Sequence, residues 1–309
     1  MFTPYKWQTS PTLVVFHRAF GEVGQLCYKT SLDGHSFEPD HHKAPHVRMT
    51  SDPSAVQFNN KLYVFHQGAG YNGELWYAVV DRALRYDALE MGYWAVDKKV
   101  PDTGLTAGPG AVVFQGKIWV FHQGKGNNGE LWYNVFDGSG WKGDTRVVGV
   151  GITSGPSAVA YKEKLYVFHQ GGGSDGRLMY SVFDGTSWEA DVPVASTRVS
   201  AGPSAVVWKG RIYVFHQGGG DNGELRYNLF SGKGWGGDVK VENTRMSFGP
   251  SAVVFKDSIY VFHHGEGEDR RLGFNALSAS GWAGDVKIEN LLINVENSPG
   301  AVVVTLPQS

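Results

Sequence analysis

Short apolar runs, broken by turns rich in Gly, Asn and Asp, set the pattern of this chain from end to end. One phrase recurs: an apolar run, a two-residue turn, then a strand ending in Phe-His. The second runs read LVVFHR, LYVFHQ, IWVFHQ, LYVFHQ, IYVFHQ and IYVFHH. They place histidines at His17, His66, His122, His169, His216 and His263, at intervals of 49, 56, 47, 47 and 47 residues. A period of this size marks an array of supersecondary units, each too small to bury its apolar face alone.

The unit over 110–156 shows the internal plan. AVVF is a first strand, Gln115-Gly116 turns it into KIWVFHQ, and GKGNNG leads to ELWYNVF. DGSG then turns into a fourth strand, WKGDTRVV. Asn72-Gly73, Asn128-Gly129, Asp175-Gly176 and Asn222-Gly223 repeat a hairpin signal between the second and third strands, read as type I′ turns with positive φ at both residues. Four antiparallel strands per unit, repeated radially, describe an all-β, six-bladed β-propeller. The chain begins with a second strand (PTLVVFHR) and finishes with a first (SPGAVVVT), so the last strand is expected to complete the first blade and close the ring. One domain spans 1–309, with units at about 12–53 plus 301–305, 54–109, 110–156, 157–203, 204–250 and 251–300. The long interval reflects a nine-residue insertion between Asp81 and Trp94, expected to form a helical turn or a lobe over one face.

Some repeated residues read as framework. Phe37, Trp94, Trp141, Trp188, Trp235 and Trp282 start the fourth strand and are expected to pack between blades. Asp40, Asp97, Asp144, Asp191, Asp238 and Asp285 follow three residues later and are expected to hydrogen-bond turns.

In an alternating sheet, the loop before the first strand (SGPSA, AGPSA) and the loop after the second (HQGKGNNG) share one face. The candidate ligand contacts on that face are His66, Gln67, His122, Gln123, His169, Gln170, His216, Gln217 and His263. Asn72, Asn128, Asp175 and Asn222 join them, with Glu74, Glu130 and Glu224 and the aromatic platforms Trp76 and Trp132. Imidazole, amide and glycine backbone supply donors and acceptors, and an indole supplies an apolar wall. A monosaccharide presents the complementary surface: hydroxyls around an apolar ring face. The same His, Ser, Trp and Asp equally suit an internal hydrogen-bond network between strands, and the sequence leaves both readings open.

Bulk properties narrow the partners. A net charge of −2 gives no electrostatic case for nucleic acid. No run approaches the roughly 20 apolar residues that span a bilayer, so membrane insertion is not expected. The single cysteine, Cys27, excludes an intramolecular disulfide and a cysteine-rich zinc site. His41-His42 and His263-His264 have no third ligand at metal spacing, so neither metal nor cofactor is expected. MFTPYKWQTS shows no secretory signal pattern. The chain therefore reads as made in the cytoplasm, with release by a non-classical route and homo-oligomerisation left open.

The repeat resembles the six-bladed β-propeller lectins of fungi and bacteria that bind fucose or N-acetylglucosamine. That resemblance covers all six units and implies a multivalent carbohydrate-binding protein without catalysis, with glycans as partners. The fucose type uses an Arg, a Glu and an aromatic at each site. Here Glu74, Glu130 and Glu224 give way to Arg177 and Arg271 in other copies, a departure from that pattern. VFDGSGW and VFDGTSW resemble the Asp-box of sialidases but are one residue shorter, and the paired carboxylates of a glycosidase are not evident. A protein-interaction propeller is the remaining alternative.

Overall fold

The computed structural model describes residues 11–19, 24–38, 42–80, 94–173, 176–267, 269, 271–292 and 297–305. The insertion expected between Asp81 and Trp94 lies outside these residues, as do Asp40, His41 and Asp175. The strands assemble into six sheets in a ring. Blade 3 runs Gly110–Phe114, Lys117–Gln123, Glu130–Phe136 and Thr145–Gly151, each strand antiparallel to the last. Blades 2, 4 and 5 repeat this order. Blade 6 adds a two-residue strand, Gly281–Trp282, before its outer strand Val286–Leu292.

Blade 1 closes the ring as its sequence implies. Gly300–Val304 pairs antiparallel with Thr12–Arg18, placing Leu13 against Val303 and Val15 against Ala301. The seam therefore buries Val302 and Val304 in the core between blades 1 and 2.

The hydrophobic core is divided among six blade boundaries. Between blades 3 and 4, for instance, Phe121, Leu131 and Val147 meet Leu165, Val167 and Phe183. The tryptophans expected to start the fourth strand lie four residues ahead of it, most of them in an isolated bridge to the third strand, and they wedge these boundaries as expected. Trp141 of blade 3 meets Phe65 of blade 2 edge-on at 6.0 Å, and Trp188, Trp235 and Trp282 repeat the contact with Phe121, Phe168 and Phe215. The phenylalanine of Phe-His is thus the anvil for the next blade's indole.

The turns differ in part from expectation. The first hairpins have positive φ at both central residues, as at Gln115-Gly116 (48° and 68°) and Lys209-Gly210 (47° and 71°). In the second connection Asn72 has φ −67°, and the left-handed residues are Gly70, Tyr71 and Gly73. The asparagine is instead an Asx turn: Asn128 Oδ1 accepts the Glu130 N–H at 3.0 Å, as Asn72 and Asn222 do for Glu74 and Glu224. The side chain supplies the acceptor that a backbone carbonyl would supply in a I′ turn.

Next to the axis, glycines at 108, 155, 202 and 249 touch in sequence. A Cβ on Gly155 would lie 2.6 Å from the Gly108 carbonyl oxygen, and one on Gly202 the same distance from that of Gly155. The serine two residues on stitches one blade to the next. Ser54 accepts the Ala111 N–H at 2.9 Å, and Ser157, Ser204 and Ser251 do the same for Ala205, Ala252 and Ala301.

Candidate functional site: the outer rim between blades

The most repeated polar residues turn inward. His66, His122, His169, His216 and His263 are all 0 % exposed. In His122, Nε2 meets Asp144 Oδ1 at 2.9 Å and Nδ1 meets its neighbour's carbonyl, Gln123 O, at 3.3 Å. The other four make the same pair of contacts, with Asp97, Asp191, Asp238 and Asp285. Each ring nitrogen therefore faces an oxygen of the protein, which satisfies the imidazole without solvent. These histidines, expected as ligand contacts, are framework residues: they tie the second strand to the start of the fourth. The aspartates are framework too, with the imidazole as their partner rather than a turn. Burial pushes the Asp238 carboxyl up, but His216 and then Arg226 outweigh it and hold it below the usual carboxylate range.

The glutamines follow the histidines inside. Gln67, Gln123 and Gln217 are buried and Gln170 is partly so. Each Nε2 donates to a carbonyl just beyond the fourth strand: Leu105, Ile152, Val199 and Met246, at 3.0–3.4 Å. A buried amide needs partners to offset its desolvation, and the strand after next provides them. The expected ligand role of these four is thereby replaced by a staple between strands.

What remains accessible lies farther out, where the third strand begins. Every pairing of third and fourth strands shifts register there, between Glu74 and Trp76, Glu130 and Trp132, Arg177 and Met179, or Glu224 and Arg226. The extra residues sit on the fourth strand and include one left-handed position: His46, Asp102, Gly149, Ser196 or Asn243. This bulge bends the outer strand away and leaves the side chains at its base open to solvent.

In blade 2 the open group comprises Glu74, Lys99 and half-buried Trp76. Glu74 forms an ion pair with Lys99, and Trp76 Nε1 donates to Glu74 Oε2 at 3.3 Å. Hydrogen bonding by Lys99 holds the Glu74 carboxyl below its ordinary value. Blade 3 repeats the group with Glu130, Arg146 (2.7 Å) and Trp132, whose Nε1 has no hydrogen-bond partner among the described residues. Asn72 and Asn128 reach the same carboxylates at 3.1 and 3.3 Å. In blade 5 an arginine replaces the indole: Arg226 binds Glu224 and Asp238, both at 2.8 Å. Of the expected site, the structure therefore brings together Asn, Glu and Trp, and adds the cation of the fourth strand. Lys99 and Arg146 escaped sequence reasoning because their distance from the carboxylate depends on the bulge.

The axial funnel differs in character. Its walls are the Gly-Pro-Ser turns and the loops after the second strands, including Gln67, Tyr71 and Thr106, around a space of about 280 Å³. Among the described lining residues its one carboxylate is Asp52, which occupies the position of Gly108, Gly155 and Gly202 in their blades. Asp52 Oδ1 accepts the Ser298 N–H at 2.6 Å, and burial pushes its carboxyl up to about 6. A folded-state value raised above the unfolded one means that the folded chain holds this proton more tightly. Stability from this group is therefore fully present below about pH 4 and falls until about pH 6, by about 3 kcal/mol in all. Asp52→Asn keeps the oxygen acceptor and removes the charge. It is expected to melt higher than the parent at about pH 7.5 and with it at about pH 4. Equal melting temperatures at both pH values would refute the buried-charge account.

No group of three or more His, Cys, Asp or Glu among the described residues is arranged to hold a metal ion.

No protein-family model matches the chain, and no curated protein sequence matches it. Solved structures do. The fucose-specific lectin of Aleuria aurantia superposes with a TM-score of 0.63 at 15 % identity, covering 92 % of each chain. AofleA from Arthrobotrys oligospora gives 0.60 at 14 % identity, over 99 % of this chain and 93 % of that one. An α-L-arabinofuranosidase from Clostridium thermocellum gives 0.52 at 16 % identity, over 77 % of this chain and 94 % of that one. The resemblance to six-bladed propeller lectins expressed in the repeat is thus matched in three dimensions, and at these identities what is shared is the fold.

Proposed function

We propose that the protein is a lectin that binds saccharides at repeated positions on its outer rim and does not turn them over. The observation that carries this reading is the group of carboxylate, cation and half-buried indole at Glu74, Lys99 and Trp76, repeated at Glu130, Arg146 and Trp132. A carboxylate and a cation address neighbouring hydroxyls of a sugar, and the indole covers its apolar face. Likeness in fold to a fucose-specific lectin supports the same reading. Several weak sites on one rigid ring would hold a dense glycan surface through avidity gains of about 10²–10⁴.

A glycosidase is the second reading, favoured by likeness to the arabinofuranosidase. Hydrolysis needs two placed carboxylates, whereas Asp52 stands alone among the described residues of the axial funnel. A glycan array tests the first reading and release of an aryl glycoside the second. Trp132→Ala is expected to weaken binding at its own site by about tenfold or more, equivalent to 1.4 kcal/mol, while the other sites persist. Silence of the parent protein across the array would overturn the lectin reading.

A further inference from the structure

We infer that the axial funnel is a second binding site, one per molecule, for a small primary ammonium carried on an apolar stem. The site is separate from the outer rim and does not depend on the lectin reading.

A break in the repeat singles out this funnel. The turns around the axis follow the form x-Gly-Pro. Blades 3, 4 and 5 keep to it, and x there is only Ala107, Ser154 or Ala201. The other three turns depart: Phe248 takes the place of x in blade 6, Asn297-Ser298 replaces x-Gly at the seam of blade 1, and Asp52 replaces the glycine in blade 2. These three turns are consecutive around the ring, because the inner strand of blade 1 lies between those of blades 6 and 2. One half of the funnel is therefore lined by small residues, and the other half carries the aromatic ring, the amide and the carboxylate. Copying a unit yields six equal turns; three adjacent departures make a one-sided pocket.

The chemistry of that half selects the ligand. Half-buried Asp52 keeps surface open to the funnel, and Oδ1 accepts from the Ser298 N–H at 2.6 Å and from Asn297 Nδ2 at 3.5 Å. These donors position the carboxylate without neutralising it. Among the described residues that line the axis there is no Lys, Arg or His. Burial raises this carboxyl to about 6, so it is ionised at neutral pH, and a cation entering a low-dielectric site beside it is held strongly. Phe248 supplies the apolar wall. Its φ is 63°, whereas the residues in its place in the other five turns have no positive φ. Backbone strain of this kind collects at ligand sites. The ring packs edge-on against His264 at 5.9 Å and is 40 % exposed, lining the funnel. An ammonium on a hydrocarbon stem fits both features: the head pairs with Asp52, and the methylenes next to it meet the ring. A funnel of about 280 Å³ lies just under the range of drug-sized sites, so the ligand is one small molecule. A hydrated metal ion would use the carboxylate alone and make no use of the ring.

Calorimetric titration with n-hexylamine and n-hexanol at about pH 7.5 tests the assignment. The amine is expected to bind at least about tenfold more tightly than the alcohol of the same length. Asp52→Asn, which keeps the oxygen acceptor, should abolish that preference. Phe248→Gly, which suits the left-handed backbone, should weaken the amine by about fivefold or more. Both variants should keep every glycan that the parent binds on the array, because the rim lies elsewhere. Calcium chloride should compete only weakly. Full displacement by calcium at matched concentration would mark a simple cation site and overturn the ammonium assignment. No measurable binding of the amine, equal affinity for amine and alcohol, or an unchanged preference in Asp52→Asn would overturn the inference and leave the lectin reading as it stands.

Discussion

Removing the strand Gly300–Val304 is expected to abolish the cooperative fold. Burial of Val302 and Val304 between blades 1 and 2 is worth about 3–6 kcal/mol at most, a large part of the 5–15 kcal/mol that usually holds a domain together. The damage extends further. Thr12–Arg18 would become an exposed edge presenting LVVFH to other copies, and an unpaired apolar edge invites aggregation. The bond from the Ala301 N–H to Ser251 would go as well, releasing blade 6 from blade 1. The truncated chain should elute as aggregates, or melt far below the parent without a sharp transition. A peptide carrying SPGAVVVT, added in trans, should restore part of the melting transition by strand addition. A truncated monomer that melts with the parent would show that the ring does not need its seam.

His122→Ala is expected to have the next largest effect, and on stability rather than on sugar binding. The substitution leaves Asp144 with no imidazole in a largely buried position and opens a void beside it. Breaking one partner of a buried pair typically costs about 3–5 kcal/mol. Gln123→Ala should cost less, about 1–3 kcal/mol, because its amide gives up hydrogen bonds to Ile152 and Asn127 but leaves no buried charge. Denaturant melts of the two variants, read beside Trp132→Ala, separate framework from rim. If His122→Ala melts with the parent and loses glycan binding, the histidine belongs to the site after all.

The two substitutions mark where sequence reasoning succeeds and where it stops. His122 and Gln123 recur in near-identical words, and repetition by itself serves binding and scaffolding equally. What separates them is exposure, and a residue at the end of a second strand is buried or open according to the outer strand that covers it. Trp132 and Trp141 make the same point in reverse. Both are tryptophans of one blade, Trp132 on its third strand and Trp141 in the bridge that leads to the fourth, yet Trp141 wedges against Phe65 and Tyr77 while Trp132 is left at the rim. The wedge was legible because it recurs ahead of the fourth strands. The rim group was half legible: Asn128, Glu130 and Trp132 are close in sequence, but Arg146 joins them only through the bulge.

By itself the sequence determined the strand order, the number of blades and the closure of the ring. Strand order and blade number depend on contacts local in the chain: an apolar run, a left-handed turn such as Gln115-Gly116, and the run that pairs back on it. Closure joins the two ends of the chain, and it was legible because those ends carry the complementary halves of one repeat. The tertiary structure decided which polar groups are buried and which stay exposed. It turned His122 and its counterparts onto aspartates from the start of the fourth strand, and it set Arg177 against Arg198 and Glu266 against Arg245. Those outcomes hang on register, bulges and the contact of one blade with the next. They are relations between residues far apart in sequence, and no local pattern of apolar and polar positions encodes them.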